Sequence, residues 1–207
     1  MIPHTLLYAH GFRSSSRSRK VGELRAALSG YDKFKLIAPD LDPRPTQAIS
    51  QLQWHALGVP PERLTIFGSS LGGFYAWVLA EKLGCRTVLL NPSLRPFETL
   101  ARHTGRQTNL HTGAPFDFPV SFLDELRALA PSNVTRPERY IVMVEMGDEL
   151  LDHTQTLAVF CGAKRIVIQG GNHDLVSFPQ HAAELLAFCR SSDCPSERSE
   201  ESQTVGR

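Results

Sequence analysis

The clearest indication of the fold comes from the sequence LTIFGSSLGGFYAWVLAEKL, residues 64–83. It opens with the apolar run Leu64–Phe67, which is typical of a buried strand, and continues as a helical pattern over Gly73–Leu83. Between them lies a G-x-S-x-G pattern, and a serine on such a sharp strand-to-helix turn projects its hydroxyl above the sheet. We therefore predict that Ser70 lies on this turn, with Gly68 and Gly72 allowing the strand and the helix to approach closely.

Five further apolar runs have the character of the run before this turn. They are short, nearly continuous and rich in Ile, Leu and Val, as expected for parallel strands buried on both faces. Helical patterns alternate with them, which predicts a doubly wound α/β fold with about six mostly parallel strands and helices on both faces. The predicted strands are His4–Ala9, Phe34–Ala38, Leu64–Phe67, Thr87–Leu90, Tyr140–Val144 and Arg165–Ile168. The predicted helices are Lys20–Leu28, Thr46–Leu57, Gly73–Leu83 and Gln180–Phe188.

Residues 92–138 break this alternation. No strand is predicted between Asn91 and Arg139, but two short helices are, Phe97–His103 and Val120–Leu129. An insertion of this length at one connection is commonly a cap over a pocket. We therefore expect residues 1–190 to form a single domain with a short helical cap insertion at about 92–138. The segment 191–207 has almost no apolar side chains, and we predict that it is disordered.

Composition limits the classes of function. The chain has 207 residues, of which 42% are apolar and 21% charged, as in soluble globular domains. A net charge of +1 gives no reason to expect nucleic acid or an anionic membrane as a partner. The apolar N-terminal stretch is too short to span a bilayer and lacks the features of a secretory signal, so no stable membrane association is expected. The four cysteines lack CxxC spacing, which argues against zinc and favours reduced thiols in the cytoplasm: Cys85, Cys161, Cys189 and Cys194.

A serine hydroxyl becomes a strong nucleophile only when a base accepts its proton. His173 is the best candidate for that base because it directly follows the last predicted strand, where loops line the crevice at the carboxyl edge of the sheet. A carboxylate should then orient the imidazole. We prefer Asp148, which lies nearest to the end of the fifth strand, over its neighbours Glu149 and Asp152. The resulting chain order of serine, aspartate and histidine is that of a strand-turn-helix hydrolase site.

An oxyanion formed on the substrate carbonyl needs two backbone N–H donors. We expect one from Leu71, which follows the predicted nucleophile at the start of a helix, and one from Phe12, in the loop after the first strand. Gly11 permits the unusual dihedral angles that such a loop requires. We predict that the neighbouring His10 braces this loop through hydrogen bonds and is not a second base.

With these motifs in place, the sequence resembles the YqiA-type esterases, a family of small bacterial α/β-hydrolases, up to about Arg190. The shared segments are LLYAHGFRSS (6–15), APDL (38–41), IFGSSLGGFYA (66–76), NPSLRP (91–96), MGDELLD (146–152) and GGNHD (170–174). The resemblance implies the α/β-hydrolase fold and hydrolysis of carboxylic esters or acyl-CoA thioesters by Ser70, Asp148 and His173. It further implies no metal, no organic cofactor and a cytoplasmic location. Residues 113–134 match less closely, at the place where a cap would set acyl-chain preference.

We therefore predict a carboxylesterase or thioesterase that acts on a small-molecule ester through an acyl-enzyme intermediate. Two alternatives stay open: an amide or peptide bond hydrolase with the same site, and a non-catalytic binding module on the same fold. Four phenylalanines of the insertion either wall an acyl pocket or form the insertion's own core: Phe97, Phe116, Phe118 and Phe122. Four basic residues either form a solvated face or bind a phosphate-bearing substrate such as coenzyme A: Arg13, Arg17, Arg19 and Lys20. The oligomeric state is not predicted.

Overall fold

A computed structural model describes residues 2–190 of the chain, so the predicted disorder of residues 191–207 concerns residues outside this range. Six parallel strands form the central sheet, in the order β2-β1-β3-β4-β7-β8. These strands are β1 His4–Ala9, β2 Phe34–Ile37, β3 Leu64–Ser69, β4 Arg86–Leu90, β7 Tyr140–Glu145 and β8 Lys164–Ile168. All six predicted strands are confirmed, with ends that differ by one or two residues.

Seven α-helices accompany the sheet within the described residues: α1 Arg19–Ala27, α2 Pro45–Ala56, α3 Leu71–Leu83, α4 Pro96–Thr99, α5 Val120–Leu129, α6 His153–Val159 and α7 Phe178–Arg190. The four predicted helices between strands are confirmed. The predicted α5 begins and ends where the sequence pattern placed it. Within residues 2–190, no helix combines the length and the apolar character needed to cross a membrane.

The insertion differs from the prediction in two respects. Instead of being free of strands, it contains an antiparallel hairpin of β5 Gly105–Thr108 and β6 Pro115–Phe118. The predicted helix Phe97–His103 is in fact the single turn α4 followed by the 3₁₀ turn Ala101–His103. The hairpin escaped the prediction because the sequence of β5, GRQT, has no apolar alternation. Its turn is stabilised by the Asn109 side chain, which accepts hydrogen bonds from the backbone N–H groups of residues 111 and 112.

Apolar side chains fill both faces of the six-stranded sheet. Along β1, Leu7 and Ala9 belong to the core on one face, whereas Leu6 and Tyr8 belong to the core on the other face. This alternation follows from the two-residue side-chain period of a strand. Because both faces are covered, the strands read as continuous apolar runs, which is the feature that made them recognisable in the sequence.

All strands of the main sheet run in one direction, so their carboxyl ends share one edge. β3 ends next to Ser70, β7 ends at Glu145 shortly before Asp148, and β8 ends five residues before His173. β1 leads into the loop that carries Phe12. The topology therefore places all the predicted site residues at the same edge of the sheet.

Candidate active site

Ser70 occupies the turn between β3 and α3 in a strained backbone conformation. Its dihedral angles are φ 54° and ψ −121°, a region that non-glycine residues rarely adopt. Hydrogen bonds hold this geometry: the Ser70 N–H donates to the carbonyl of Leu90 at 3.1 Å, and its carbonyl accepts from the N–H groups of Gly73 (2.9 Å) and Ser93 (3.0 Å). Hydrogen bonds from β4 and α3 thus hold Ser70 in its strained conformation, which directs the hydroxyl away from the edge of the sheet.

The glycines of the motif allow α3 to pack directly on the sheet. A Cβ atom on Gly68 would lie 2.2 Å from the carbonyl oxygen of Gly72. A Cβ atom on Gly72 would lie 2.0 Å from the carbonyl oxygen of Ala9 in β1. Both distances are far inside van der Waals contact, so any larger residue at these positions would displace the turn that carries Ser70.

The structure brings Ser70, His173 and Asp148 into one hydrogen-bonded series. His173 Nε2 lies 3.0 Å from Ser70 Oγ, and His173 Nδ1 lies 2.8 Å and 3.0 Å from the two carboxylate oxygens of Asp148. A carboxylate accepts hydrogen bonds, so Nδ1 carries the proton and Nε2 is free to accept the proton of the hydroxyl. The Asp148 side chain is only 2% exposed and that of His173 18% exposed, so solvent screens the pair little.

Asp148 is held in its ionised form by its surroundings. Burial alone would raise its pKa, but the hydrogen bond from His173 and those from the backbone N–H groups of Leu150 and Leu151 lower the pKa below its usual value. An ionised carboxylate at this position fixes the imidazole tautomer and stabilises positive charge on the ring.

The two rival carboxylates contact backbone groups instead of the imidazole. Glu149 accepts a hydrogen bond from the backbone N–H of His173 at 3.0 Å. Asp152 caps helix α6 by accepting from the N–H of Thr154 at 2.8 Å. Asp148 is therefore the carboxylate placed against the His173 ring.

The loop after β1 lies directly over Ser70. A Cβ atom on Gly11 would sit 3.3 Å from Ser70 Cβ, so this loop and the serine are in close contact. The N–H of Leu41 donates to His10 Nε2 at 3.0 Å, which leaves the proton on Nδ1 to donate to the carbonyl of Gly11 at 3.0 Å. Burial lowers the pKa of His10, which keeps the ring neutral. His10 thus braces the loop through hydrogen bonds on both of its ring nitrogens.

The two predicted oxyanion donors have no competing partners. In the described part of the chain, neither the N–H of Phe12 nor that of Leu71 donates to a backbone or side-chain acceptor. Leu71 opens helix α3, whose N-terminus carries partial positive charge. Both N–H groups are thereby available to an oxygen bound beside Ser70.

The hairpin of the insertion packs on the loop that carries Phe12. The centroid of the Phe12 ring lies 5.0 Å from that of the Phe118 ring and 5.9 Å from that of the Phe116 ring. Phe118 is fully buried in the core and contacts Phe122 at 5.7 Å, so these two residues are structural. Phe97 is flanked by arginine side chains, and only Phe116 of the four insertion phenylalanines lines a cleft at the site.

Two residues that the sequence reasoning missed fix the loop that carries His173. The Glu145 carboxylate is fully buried and accepts hydrogen bonds from the N–H of Asn172 (2.6 Å) and from the N–H (2.7 Å) and hydroxyl (2.6 Å) of Ser177. Asn91 accepts from the N–H of Glu145 at 3.0 Å and donates to the carbonyl of Asn172 at 3.1 Å. Glu145 and Asn91 therefore hold the loop on both sides of His173.

The charge of Glu145 is maintained in spite of its burial. Burial would raise the pKa of this carboxyl, but the hydrogen bonds from Ser177 and Asn172 outweigh it and lower the pKa. The signal in the sequence was a single acidic residue at the end of the otherwise apolar strand YIVMVE. A charge in that position is costly unless several donors surround it, so it indicates a polar network.

The four basic residues near the start of the chain have mostly structural contacts. Arg13 Nε donates to the carbonyl of Thr108 in the hairpin at 3.0 Å. Arg19 pairs with Glu23 and donates to the carbonyl of Asp174. Arg13 and Arg19 are therefore engaged with protein acceptors, which favours a structural role for these two residues over a phosphate site.

Within residues 2–190, the clefts at the site include a histidine-side cleft and an aromatic cleft. The histidine-side cleft has about 380 Å³ of empty volume and is lined by Ser70, Leu71, Ser93, Thr99, Leu100, Arg102, His103, Leu150, Leu151 and His173. The aromatic cleft has about 400 Å³ and is lined by His10, Gly11, Phe12, Arg13, Ser14, Leu41, Asp42, Pro43, Leu71, Tyr75, Asn109 and Phe116. Within residues 2–190, no group of three or more His, Cys, Asp or Glu side chains is arranged to hold a metal ion.

A parallel sheet whose strand-to-helix turn carries a strained serine, followed along the chain by aspartate and histidine, defines the α/β-hydrolase fold. Solved structures agree. A protein of Agrobacterium vitis superposes with a TM-score of 0.70 at 15% identity, covering 91% of each chain. The esterase domain of a Rhodothermus marinus protein superposes with a TM-score of 0.65 at 18% identity, over 92% of this chain and 88% of that domain.

Within this class, the chain belongs to the uncharacterised protein family UPF0227, whose model matches residues 5–190. A UPF0227 protein of Pectobacterium carotovorum is 26% identical over 188 residues, which cover 88% of this chain and 97% of that protein. UPF0227 is the YqiA family, so the resemblance found in the sequence motifs is confirmed.

Proposed function

We propose that the protein is a serine hydrolase that cleaves carboxylic esters of small molecules through an acyl-enzyme on Ser70. The observation that carries this proposal is the hydrogen-bonded series from Asp148 through His173 to the Ser70 hydroxyl. The fold shared with the esterase domain of Rhodothermus marinus agrees with it.

In the first half of the reaction, Ser70 Oγ attacks the acyl carbon while His173 Nε2 accepts the hydroxyl proton. Asp148 stabilises the imidazolium that results. The carbonyl π electrons move onto the oxygen, which is stabilised by the N–H groups of Phe12 and Leu71. When the tetrahedral intermediate collapses, the bond to the leaving group breaks and His173 returns its proton to the departing oxygen. The acyl group remains esterified to Ser70.

In the second half, water takes the place of the alcohol. His173 Nε2 accepts a proton from the water as its oxygen attacks the acyl carbon, and the same two N–H groups bind the second oxyanion. Collapse breaks the bond to Ser70 Oγ, which receives the proton back from His173. The products are a carboxylic acid and an alcohol, and no redox step or cofactor enters this balance.

Thioesters, amides and peptide bonds are cleaved by the same sequence of steps, and we propose esters before amides because resonance with nitrogen makes an amide carbonyl less reactive towards a nucleophile. Thioester cleavage is a second candidate, supported by the motifs shared with the YqiA-type family. We also propose a cytoplasmic location, with which the free thiols of Cys85, Cys161 and Cys189 agree.

The test is hydrolysis of p-nitrophenyl acetate, butyrate and octanoate by the wild type and by Ser70→Ala. We expect wild-type turnover and a fall to background in Ser70→Ala. Ser69→Ala is the matched control, because it removes the adjacent hydroxyl, which lies in β3 outside the hydrogen-bonded series. Equal activity of the wild type and Ser70→Ala would refute the proposal, and inertness of a folded wild type on all three esters would favour a binding module.

A further inference from the structure

The proposed reaction centre lies where the two clefts meet. Leu71, whose N–H is a proposed oxyanion donor, lines both of them. Ser70 and His173 line the histidine-side cleft, and Phe12, the second donor, lines the aromatic cleft. An ester bound at Ser70 therefore has one cleft available on each side of its carbonyl carbon.

The position of His173, which donates the proton to the leaving group, determines which half of the ester lies in which cleft. His173 must protonate the leaving oxygen, which places that oxygen within about 2.6–3.2 Å of Nε2 and its substituent in the histidine-side cleft. The carbonyl oxygen is drawn to the N–H groups of Phe12 and Leu71. The acyl chain is the remaining substituent of the tetrahedral carbon, and it points away from the imidazole into the aromatic cleft.

The walls of the aromatic cleft suit a short hydrocarbon chain. Half of its lining residues are apolar or aromatic: Phe12, Leu41, Pro43, Leu71, Tyr75 and Phe116. Of the polar side chains in the lining, Asn109 donates to the carbonyl of Ser14, and Arg13 Nε donates to that of Thr108. Burial raises the pKa of Tyr75, so its phenol is uncharged.

The histidine-side cleft differs from the aromatic cleft in its charged residues, because the aromatic cleft contains both a cation, Arg13, and a carboxylate, Asp42. Within residues 2–190 the lining of the histidine-side cleft includes Arg102 but no carboxylate. Arg102 Nε donates to His103 Nε2 at 3.3 Å, and the pKa of His103 is lowered by burial and by the charges of Arg102 and Arg13. A neutral His103 leaves the charge of Arg102 uncompensated beside the place where the leaving group lies.

From these contacts we infer the substrate class: an ester with a short apolar acyl group in the aromatic cleft and a leaving group that carries a carboxylate facing Arg102. This inference rests on the proposed function, and it makes Arg102 and Phe116 specificity-determining residues for the two halves of the substrate.

The leaving-group half is tested with 4-acetoxybenzoate and its methyl ester, which differ by one negative charge. The ratio of their two kcat/KM values is compared between wild type and variant, so that their different intrinsic reactivities cancel. Arg102→Gln is expected to lower the ratio of anionic to neutral ester about fivefold, as for an exposed ion pair. Arg95→Gln is the matched control, because Arg95 pairs with Glu98 at 2.6 Å and does not line the cleft.

The acyl half is tested with p-nitrophenyl esters from acetate to octanoate. Phe116→Leu enlarges the aromatic cleft and is expected to favour a longer chain, by about fourfold in relative kcat/KM for each methylene newly accommodated. Leu41→Ala enlarges the same cleft by removing another lining side chain. It replaces Phe116→Leu in the test if that substitution disturbs the hairpin. Phe122→Leu, within the insertion but outside both clefts, should leave the chain-length profile unchanged.

We expect each substitution to affect one half of the substrate only. Arg102→Gln changes the ratio of kcat/KM for the anionic and neutral esters, and Phe116→Leu or Leu41→Ala changes the chain-length profile. The reverse pattern would place the two halves of the substrate the other way round and overturn the inference. Turnover that depends on Ser70, with no change of the charge ratio in Arg102→Gln, would also overturn it while leaving the proposed function intact. Hydrolysis that persists in Ser70→Ala would instead refute the proposed function itself.

Discussion

Replacing Glu145 by glutamine removes one charge from the site without changing its shape. The carboxylate accepts hydrogen bonds with both oxygens, from Asn172 on one side and from Ser177 on the other. A glutamine keeps one oxygen, and its NH₂ group must then face an N–H donor that has no other acceptor. In Glu145→Gln the loop that carries His173 is therefore released on one side.

The size of the effect follows from these contacts. Leaving a buried donor without its charged acceptor costs roughly 1–3 kcal/mol, so we expect the free energy of unfolding to fall by about 2 kcal/mol. A displacement of the imidazole by about 1 Å from its position 3.0 Å from Ser70 Oγ lowers the rate of the chemical step up to about 100-fold. We expect kcat for p-nitrophenyl butyrate to fall 10-fold to 100-fold, with KM changed less than about threefold.

The assay combines steady-state kinetics with urea unfolding. Glu81→Gln is the matched control: Glu81 also accepts from a backbone N–H and two hydroxyls, those of Thr135 and Tyr140, but it lies at the far end of α3. Glu81→Gln should lose less stability, because its hydrogen bonds are more exposed than those of Glu145, and it should keep its kcat. Ser177→Ala should fall between wild type and Glu145→Gln, and Ser177→Thr should restore activity. Glu145→Gln with wild-type kcat, or a loss of kcat equal to that of Glu81→Gln, would refute the positioning role.

Three further predictions concern the acid, the turn and the response to pH. Asp148→Asn should lower kcat by about 10⁴-fold, because the amide no longer fixes the tautomer of His173. Asp152→Asn should leave kcat unchanged, because asparagine caps a helix about as well as aspartate does. Similar kinetics for the two variants would contradict the assignment. Gly72→Ala should lower the midpoint of thermal unfolding or prevent folding, because its Cβ would lie 2.0 Å from the carbonyl oxygen of Ala9. Gly22→Ala in α1 should be tolerated, because a Cβ there would have no atom within 4 Å. A stable Gly72→Ala would show that the close packing is dispensable. Burial, and then the charges of Arg86, Arg63 and Arg190, lower the pKa of His4 from 6.5 to about 4. The unfolded chain therefore binds a proton at His4 more readily than the folded protein does. The contribution of His4 to the free energy of unfolding should be constant above pH 6.5 and decrease as the pH falls towards 4. His4→Gln should flatten that decrease in urea unfolding measured at pH 7 and pH 5, and an unchanged slope would contradict the shift.

The parts of the fold that the sequence predicted are those determined by local pattern. The strands of the main sheet are continuous apolar runs because both faces of the sheet are buried, as Leu7 and Tyr8 on opposite faces of β1 illustrate. Ser70 was recognisable because strand, glycines and helix adjoin it in the chain. His173 and Asp148 followed from their positions after strand ends, since a parallel sheet brings those ends together.

The features that escaped prediction depend on contacts between distant parts of the chain. The hairpin is stabilised where Phe116 and Phe118 meet Phe12, about 100 residues earlier, while its own strand β5 is polar and exposed. The charge of Glu145 is stabilised by donors that lie 27 and 32 residues further along the chain, so its burial could not be predicted from its neighbours in sequence. The division of the site into two clefts likewise arises from loops that meet only in the folded protein.

Covalent labelling shows whether Ser70 is a nucleophile that His173 activates. Intact protein is incubated with a fluorophosphonate, and the mass of wild type, Ser70→Ala and His173→Ala is followed with time. We expect the wild type to gain one phosphonyl group, located on Ser70 by peptide mapping, and His173→Ala to react at least about 100-fold more slowly. Ser70→Ala should gain none. Labelling of the wild type at another residue, or at an equal rate in His173→Ala, would contradict the account.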